Sequence, residues 1–302
     1  MACARLIRTT WIAFAGTTLT FGTAALALPA FGDWQAPVNA QQQAGASPSL
    51  NTPAVDGCVS LSRDGRTLVF NSNRSGNQDI YFATRIDTDH GFGAPQPMPG
   101  TINTPADEFC PTLAQGNRLY FSRASSSDPG DLLVSQGNPS QGWSSAQSLG
   151  PAVNTSAMEE AAAFYEDDGG REVMLFSRRL PDGSQGQILQ RIEGGSVTLV
   201  GGGVNAAGSN NRPSVTHDGR TIFFDSTRPG GSGGPDLWTA TRNSNLVAFG
   251  SASHLGSLNS SGFDARPTIS WDGTQLYFSS NRAGSESPAP DIWVTERSRP
   301  GR

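Results

Sequence analysis

Pro213-Ser214-Val215-Thr216-His217-Asp218-Gly219-Arg220-Thr221-Ile222-Phe223-Phe224-Asp225-Ser226-Thr227-Arg228, followed shortly by Asp236-Leu237-Trp238, decides the fold. Short runs rich in β-branched and aromatic residues flank an Asp-Gly pair, which is a strong hairpin signal. A further run opens at Asp236. The same unit returns from Pro267 to Trp293, with its turn at Ser270-Trp271-Asp272-Gly273, and near the start at Ser62-Arg63-Asp64-Gly65. Degenerate turns lie around Gly116-Asn117 and Asp168-Gly169.

Working outward, one Asn recurs at Asn51, Asn103, Asn154, Asn205 and Asn259, at spacings of 52, 51, 51 and 54. An apolar run then ends at Phe70, Phe121, Phe176, Phe224 or Phe278, and the next opens at Asp79, Asp131, Gln187, Asp236 or Asp291. No stretch after residue 30 sustains an apolar period of 3.6. A repeat of about fifty residues holding roughly four strands is the size of one propeller blade. The chain is therefore expected to be all-β, a five-bladed β-propeller of four-stranded blades. The blades fall near 51–102, 103–153, 154–204, 205–258 and 259–302 plus 33–38. With strands named a to d from the axis outward, d is expected to hold Phe92, Trp143 or Phe249. The fifth repeat ends after its c strand, at Val294-Thr295-Glu296-Arg297. Asp33-Trp34-Gln35-Ala36-Pro37 resembles Gly91-Phe92-Gly93-Ala94-Pro95, so the N-terminal piece is expected to supply the missing strand and leave no open edge. Residues 38–50 read as an irregular connector.

The stretch from Pro213 to Trp238, and its copy from Pro267 to Trp293, resembles the WD-like propeller repeat of TolB-type periplasmic proteins. The resemblance covers all five repeats. It implies an exported propeller that acts as a scaffold for binding partners. TolB-type proteins carry an extra α/β domain before the propeller, for which this chain has no room.

Composition narrows the chemistry. The 302 residues include 36 Gly and 20 Pro, a turn-rich balance that argues against a helical bundle. All 21 basic residues are Arg, which excludes Schiff-base and lysine-base catalysis. A net charge of −5 offers no footprint for nucleic acid. Three His and three Cys are too few for a His/Cys metal cage. Arg5 and Arg8, then the apolar stretch Trp11 to Leu28 ending in Ala25-Leu26-Ala27, read as a signal peptide over residues 1–30. An uncleaved anchor is the alternative. Export implies a periplasmic or secreted protein with no membrane span after cleavage, in a compartment that permits disulfides.

Recurring positions are best explained by what every blade needs. The Asn column, the Asp opening strand c, and Arg74 and Arg282 read as turn caps and local ion pairs. An acidic column, Asp56, Glu108, Glu159 and Asp264, with Asn210 in the fourth repeat, lies just before the inner strands. These carboxylates either pair with a repeated Arg or contact a ligand. Two residues on stand Cys58, Cys110, Ala161, Arg212 and Arg266. That column breaks the five-fold pattern, as a specific site on a repetitive scaffold must. Arg212 and Arg266 are candidates for a carboxylate or phosphate. Cys58 and Cys110 are expected either to form a disulfide or to stay as buried thiols. The site is expected on the face of the d-to-a segments and b-to-c loops, whose length grows through the repeats as 9, 10, 11, 12 and 13.

His90 and His217 fall in turns of the opposite face and His254 in an outer strand, so no catalytic His arrangement is expected. No P-loop or dinucleotide fingerprint is present. The resulting reading is a monomeric, exported, non-enzymatic binding scaffold for a protein or cell-envelope glycan partner, without cofactor or metal. The alternative is a glycan-active hydrolase using paired carboxylates at the channel mouth. A third reading, a lectin, calls for exposed aromatics repeated in each blade. A hydrolase calls for one deep pocket, whereas a protein scaffold calls for a broad rim without one.

Overall fold

In the computed structural model, which describes residues 31–138, 141–180 and 185–299, the repeats form five antiparallel sheets around one axis. Blade one has strands a to d at Asp56–Leu61, Thr67–Ser72, Asp79–Thr84 and Gln96–Pro97. Blade two has Asp107–Ala114, Arg118–Ser125, Asp128–Asn138 and Gln147–Ser148, with an extra short strand Gly142–Trp143 on c. Blade three has Met158–Glu166, Glu172–Arg179, Gly186–Ile192 and Val197–Leu199. Blade four has Asn210–Val215, Thr221–Ser226, Asp236–Thr241 and Ser253–His254. Blade five has Asp264–Ile269, Gln275–Ser280 and Asp291–Glu296, and its d strand is Val38–Asn39. Val38 pairs with Val294 and Asn39 with Trp293, which closes the ring.

The d strands are shorter and later than the sequence suggested. Phe92 precedes its d strand, Trp143 sits in the extra hairpin, and Phe249 makes only an isolated bridge to Gly202. These aromatics are buried between blades, and burial rather than ladder pairing fixes them. At the N-terminus the ladder likewise falls on Val38–Asn39, beyond the expected 33–37, and a 3-10 turn over Ala40–Gln42 follows. Residues 38–50 are therefore partly regular. Trp34 packs edge-on against Phe223 at 6.2 Å.

The core is divided among the five seams between blades. Phe70, Phe121, Phe176, Phe224 and Phe278, one on each b strand, are fully buried, and each buried Phe contributes roughly 1.5–3 kcal/mol. One apolar cluster joins Phe70 and Tyr81 of blade one to Tyr277, Ile292 and Val294 of blade five. Four others join the remaining neighbours.

Polar contacts fix the register of those seams. Each repeat Asn binds the backbone of the preceding blade's c strand through both ends of its amide. Asn51 Oδ1 accepts from Ile292 N at 2.9 Å and its Nδ2 donates to Ile292 O at 3.0 Å. Asn103 does the same to Ile80, Asn154 to Leu132, Asn205 to Ile188 and Asn259 to Leu237. An amide side chain thus replaces one residue of a neighbouring strand, because its C=O and NH2 offer an acceptor and a donor on separate atoms, as a peptide group does.

Two outcomes test the closure. Asn51→Ala leaves the Ile292 N–H and C=O without this partner and is expected to lower the unfolding free energy by about 2–4 kcal/mol in urea titration; a loss under about 1 kcal/mol would contradict the clamp. Asp291 lies buried at the same seam, accepting from Asn39 Nδ2 at 3.0 Å and Glu286 N at 2.8 Å. Burial pushes its pKa up to about 6. A carboxyl raised above its unfolded value near 3.9 adds stability that is fully present below that value and lost as pH rises through about 6. Asp291→Asn should therefore raise stability relative to the parent at pH 7 and lose that advantage by pH 4. Equal differences at both pH values would sink this account.

Candidate functional site

Every a strand carries a bulge at the irregular column. Cys58, Cys110, Ala161, Arg212 and Arg266 have φ of 50, 46, 56, 47 and 59°, the left-handed region, and the ladder slips a register step at each. A left-handed non-glycine residue costs roughly 1–2 kcal/mol, so something must hold it there. At four of the five seams it is a side chain from the b strand of the preceding blade, one position past the Phe. Ser279 Oγ accepts from Cys58 N at 3.2 Å, Asn71 Oδ1 from Cys110 N at 3.2 Å, Ser177 Oγ from Arg212 N at 2.5 Å and Asp225 Oδ1 from Arg266 N at 3.0 Å. Ser122 occupies the equivalent place and donates to Glu159 O at 2.9 Å.

The acidic column lies two residues earlier. Asp56, Glu108, Glu159 and Asp264 are fully buried. Each meets an Arg from the end of its own b strand: Arg74 at 2.5 Å, Arg123 at 2.6 Å, Arg178 at 2.7 Å and Arg282 at 2.5 Å. Each also accepts from the N–H and hydroxyl of the residue after the repeat Asn, namely Thr52, Thr104, Thr155 and Ser260. In blade four Asn210 and Arg228 keep the contact without the carboxylate, at 2.7 Å. These groups lock the d-to-a turns, and the four carboxylates present no surface to solvent.

A cavity of about 630 Å³ occupies the axis. Its lining starts at the bulge column and runs up the a strands, past Ser60, Thr112, Ala163, Ser214 and Thr268, to the a-to-b turns. The acidic column is not part of it. The channel therefore opens on the face of the a-to-b turns, opposite to the face expected from the sequence. The physical reason is the column itself. The disulfide between Cys58 and Cys110, Ala161, and the guanidiniums of Arg212 and Arg266 fill the axis at that level, and Phe109 packs beneath them. The disulfide spans neighbouring blades with Cα atoms 4.8 Å apart and closes a separation of 52 residues, worth roughly 4 kcal/mol in the chain-entropy description. From Cys58 to Ser62 is four strand residues, so the channel is ~13 Å deep.

The floor is apolar on one side and ionic on the other. Arg212 is buried and grips Asp225 through two bonds of 2.8 Å, with Glu160 3.6 Å away. Burial opposes the Arg212 charge, but Asp225 and Glu160 outweigh it and hold its pKa above the ordinary arginine value. Glu160 also meets Arg179 at 3.0 Å. Arg266 is different. It forms no ion pair with any described carboxylate, and its Nε and NH1 atoms are buried without an acceptor. Burial, aided by nearby Arg212, pushes its pKa down to about 10.

At the mouth, Trp271 lies between Arg63, 4.3 Å above its ring, and His217, stacked at 5.0 Å. Across the opening Arg118 binds Glu172 and covers the tilted pair Tyr120 and Phe164, whose rings lie 4.5 Å apart. His217 thus lines the channel mouth, because the open face is the one that carries its turn. His254 sits in an outer strand beside Asp236, and His90 is an exposed partner of Asp87. Among the described residues no group of three or more His, Cys, Asp or Glu is placed to hold a metal, and no helix is long and apolar enough to cross a membrane. The signal peptide expected over residues 1–30 lies outside the described residues.

Sequence reasoning missed Glu160, Arg179 and Asp225. A signal was present: Asp225 is the single acid in a column otherwise made of Asn71, Ser122, Ser177 and Ser279.

Fold and site together define a five-bladed β-propeller with an axial channel closed at its bulge column. No protein-family model and no curated sequence matches the chain. Solved structures do. A TolB of Agrobacterium tumefaciens is 18% identical with TM-score 0.51, over 84% of this chain and 80% of that one. The arabinanase Arb43A of Bacillus subtilis is 11% identical with TM-score 0.57, over 82% and 98%. An α-L-arabinofuranosidase of Lactobacillus brevis is 12% identical with TM-score 0.57, over 86% and 94%. At these identities the likeness is one of fold.

Because Arg212 neutralises two buried carboxylates, Arg212→Met is expected to cost about 3–5 kcal/mol of stability in urea titration. Adding Asp225→Ser, the residue three other blades carry there, should recover part of that loss. A single variant within about 1 kcal/mol of the parent would show that the pair is not structural.

Proposed function

We propose that this chain is an exported, TolB-type propeller that acts as a non-enzymatic binding module in the periplasm or outside the cell, with a protein or cell-envelope glycan as partner. The single observation that carries the reading is the placement of charge: the repeated carboxylates that resemble a site are all consumed inside the blades. The axial channel they leave ends at turns of which three share an Asp-Gly frame yet carry different residues, Arg63, His217 and Trp271, before it. Function on a repetitive scaffold belongs to the positions that differ, and here those positions lie at the floor and mouth of the channel. The leader-like first thirty residues and the axial disulfide support an oxidising compartment.

The depth of the channel also gives specific support to a second reading, a glycan-active hydrolase, since a scaffold with a broad rim needs no such pocket. The arabinan-active structures that share the fold point the same way. The placement of charge favours binding. Carboxylates of the lining are confined to Asp64, Glu166 and Glu172 at the turns. Glu172 is held by Arg118, and a hydrogen bond from Ser62 keeps Asp64 below its usual pKa, the reverse of what a general acid requires.

Envelope extract passed over the immobilised full protein should yield a partner whose binding falls at least tenfold when Arg63 and Trp271 are both replaced by Ala. Ile86→Ser with Leu246→Ser, at exposed outer turns, should leave it unchanged. Unchanged capture by the mouth variant would reject the channel as the binding site. Release of sugar from arabinan by the parent protein, abolished in Glu166→Gln, would replace this reading with the hydrolase.

A further inference from the structure

We infer that Arg266 is the receptor for a single ligand carboxylate at the floor of the channel, an inference that rests on the channel being the binding site. The floor holds three guanidiniums, from Arg179, Arg212 and Arg266, against two carboxylates, from Glu160 and Asp225. Asp225 already accepts three hydrogen bonds, two from the Arg212 side chain and one from the backbone of Arg266. Glu160 lies between Arg179 and Arg212. One positive charge is left over, and geometry assigns it to Arg266. Its Nε and NH1 atoms are buried with no acceptor; Glu160 and Asp225 act on its charge only through space, and the Phe263 ring lies 5.6 Å away.

The other long-range arginines of the inner ring do not share this state. Arg74, Arg123, Arg178 and Arg282 each have a carboxylate and a backbone carbonyl. A buried, unpaired cation is unfavourable in the empty protein and favourable once an anion arrives. Arg266 as a whole is partly exposed and lines the cavity. An excess of one charge matches a carboxylate better than a phosphate dianion. The shape sets the rest: a closed channel ~13 Å deep and about 630 Å³ in volume admits the end of a chain or a small acid, and excludes the middle of a polymer. The acid is thus the C-terminal carboxylate of a peptide or the uronate of a short glycan, and both present the same group to Arg266.

The test uses the full protein without its leader. Probes are an acetylated Gly-Ala-Leu tripeptide as free acid and as amide, and trigalacturonic acid with its methyl ester. At least one acid should bind in calorimetry and raise the melting temperature, with its neutral counterpart at least tenfold weaker; which acid binds identifies the source. Arg266→Met should abolish that difference, and Arg266→Lys should restore part of it. Free of ligand, Arg266→Met should melt above the parent, because an uncompensated charge has gone. A lower melting temperature would make Arg266 structural and overturn the proposal. So would acid and neutral forms binding the parent equally, an outcome that leaves the channel in place as a binding site. No binding of either acid at millimolar concentration overturns it too, even where the mouth variant still loses the envelope partner. The acid-versus-neutral comparison on the parent stands without any variant.

Discussion

The amide of the repeat Asn is the contact on which the ring depends. Five hydrophobic seams hold the blades together, but apolar packing is tolerant of sliding. Each Asn converts its seam into a defined register by completing two backbone hydrogen bonds of the preceding blade's c strand. Strand d needs only two or three residues because this amide extends the ladder beside it. The last clamp, Asn51 on Ile292, joins residues 241 apart and turns a row of sheets into a ring.

Once the blades are registered, their a strands meet at the axis, where there is space for few side chains. The left-handed bulge brings one residue per blade to that level. Three blades offer Cys58, Cys110 and Ala161, and two offer arginines. Structure and chemistry therefore share the same column. The residues that plug the channel also form its floor, and Asp225 serves both as a counter-ion for Arg212 and as a bulge clip for Arg266.

Much of this was legible in the sequence. Spacing of Asn51 through Asn259, the Asp-Gly turns and the Phe column are local signals of a repeated unit, and they give blade number, strand order and closure by the N-terminal piece. The position of each d strand was not legible, because Phe92, Trp143 and Phe249 advertise burial rather than ladder pairing. The orientation of the channel was hidden for a different reason. Alternation along a strand places Asp56 and Cys58 on one face, so the acids looked axial. The bulge at Cys58 breaks that alternation, and no local residue pattern announces a left-handed Cys, Ala or Arg. Partnership was hidden too: Arg212 is matched by Asp225 of its own blade and by Glu160 of the blade before, a pairing that only the closed ring creates.

The shared blade has a consequence in time. Val38–Asn39 is among the first parts of the ring to be synthesised and its partner Asp291–Glu296 among the last. At 5–20 residues per second, some ten to fifty seconds separate them. Throughout that interval the early strand has no sheet to join, and Asn51 at the edge of blade one has no blade-five strand to clamp. Circular closure therefore waits for the strand Asp291–Glu296, and a growing chain stays an open arc until that strand arrives.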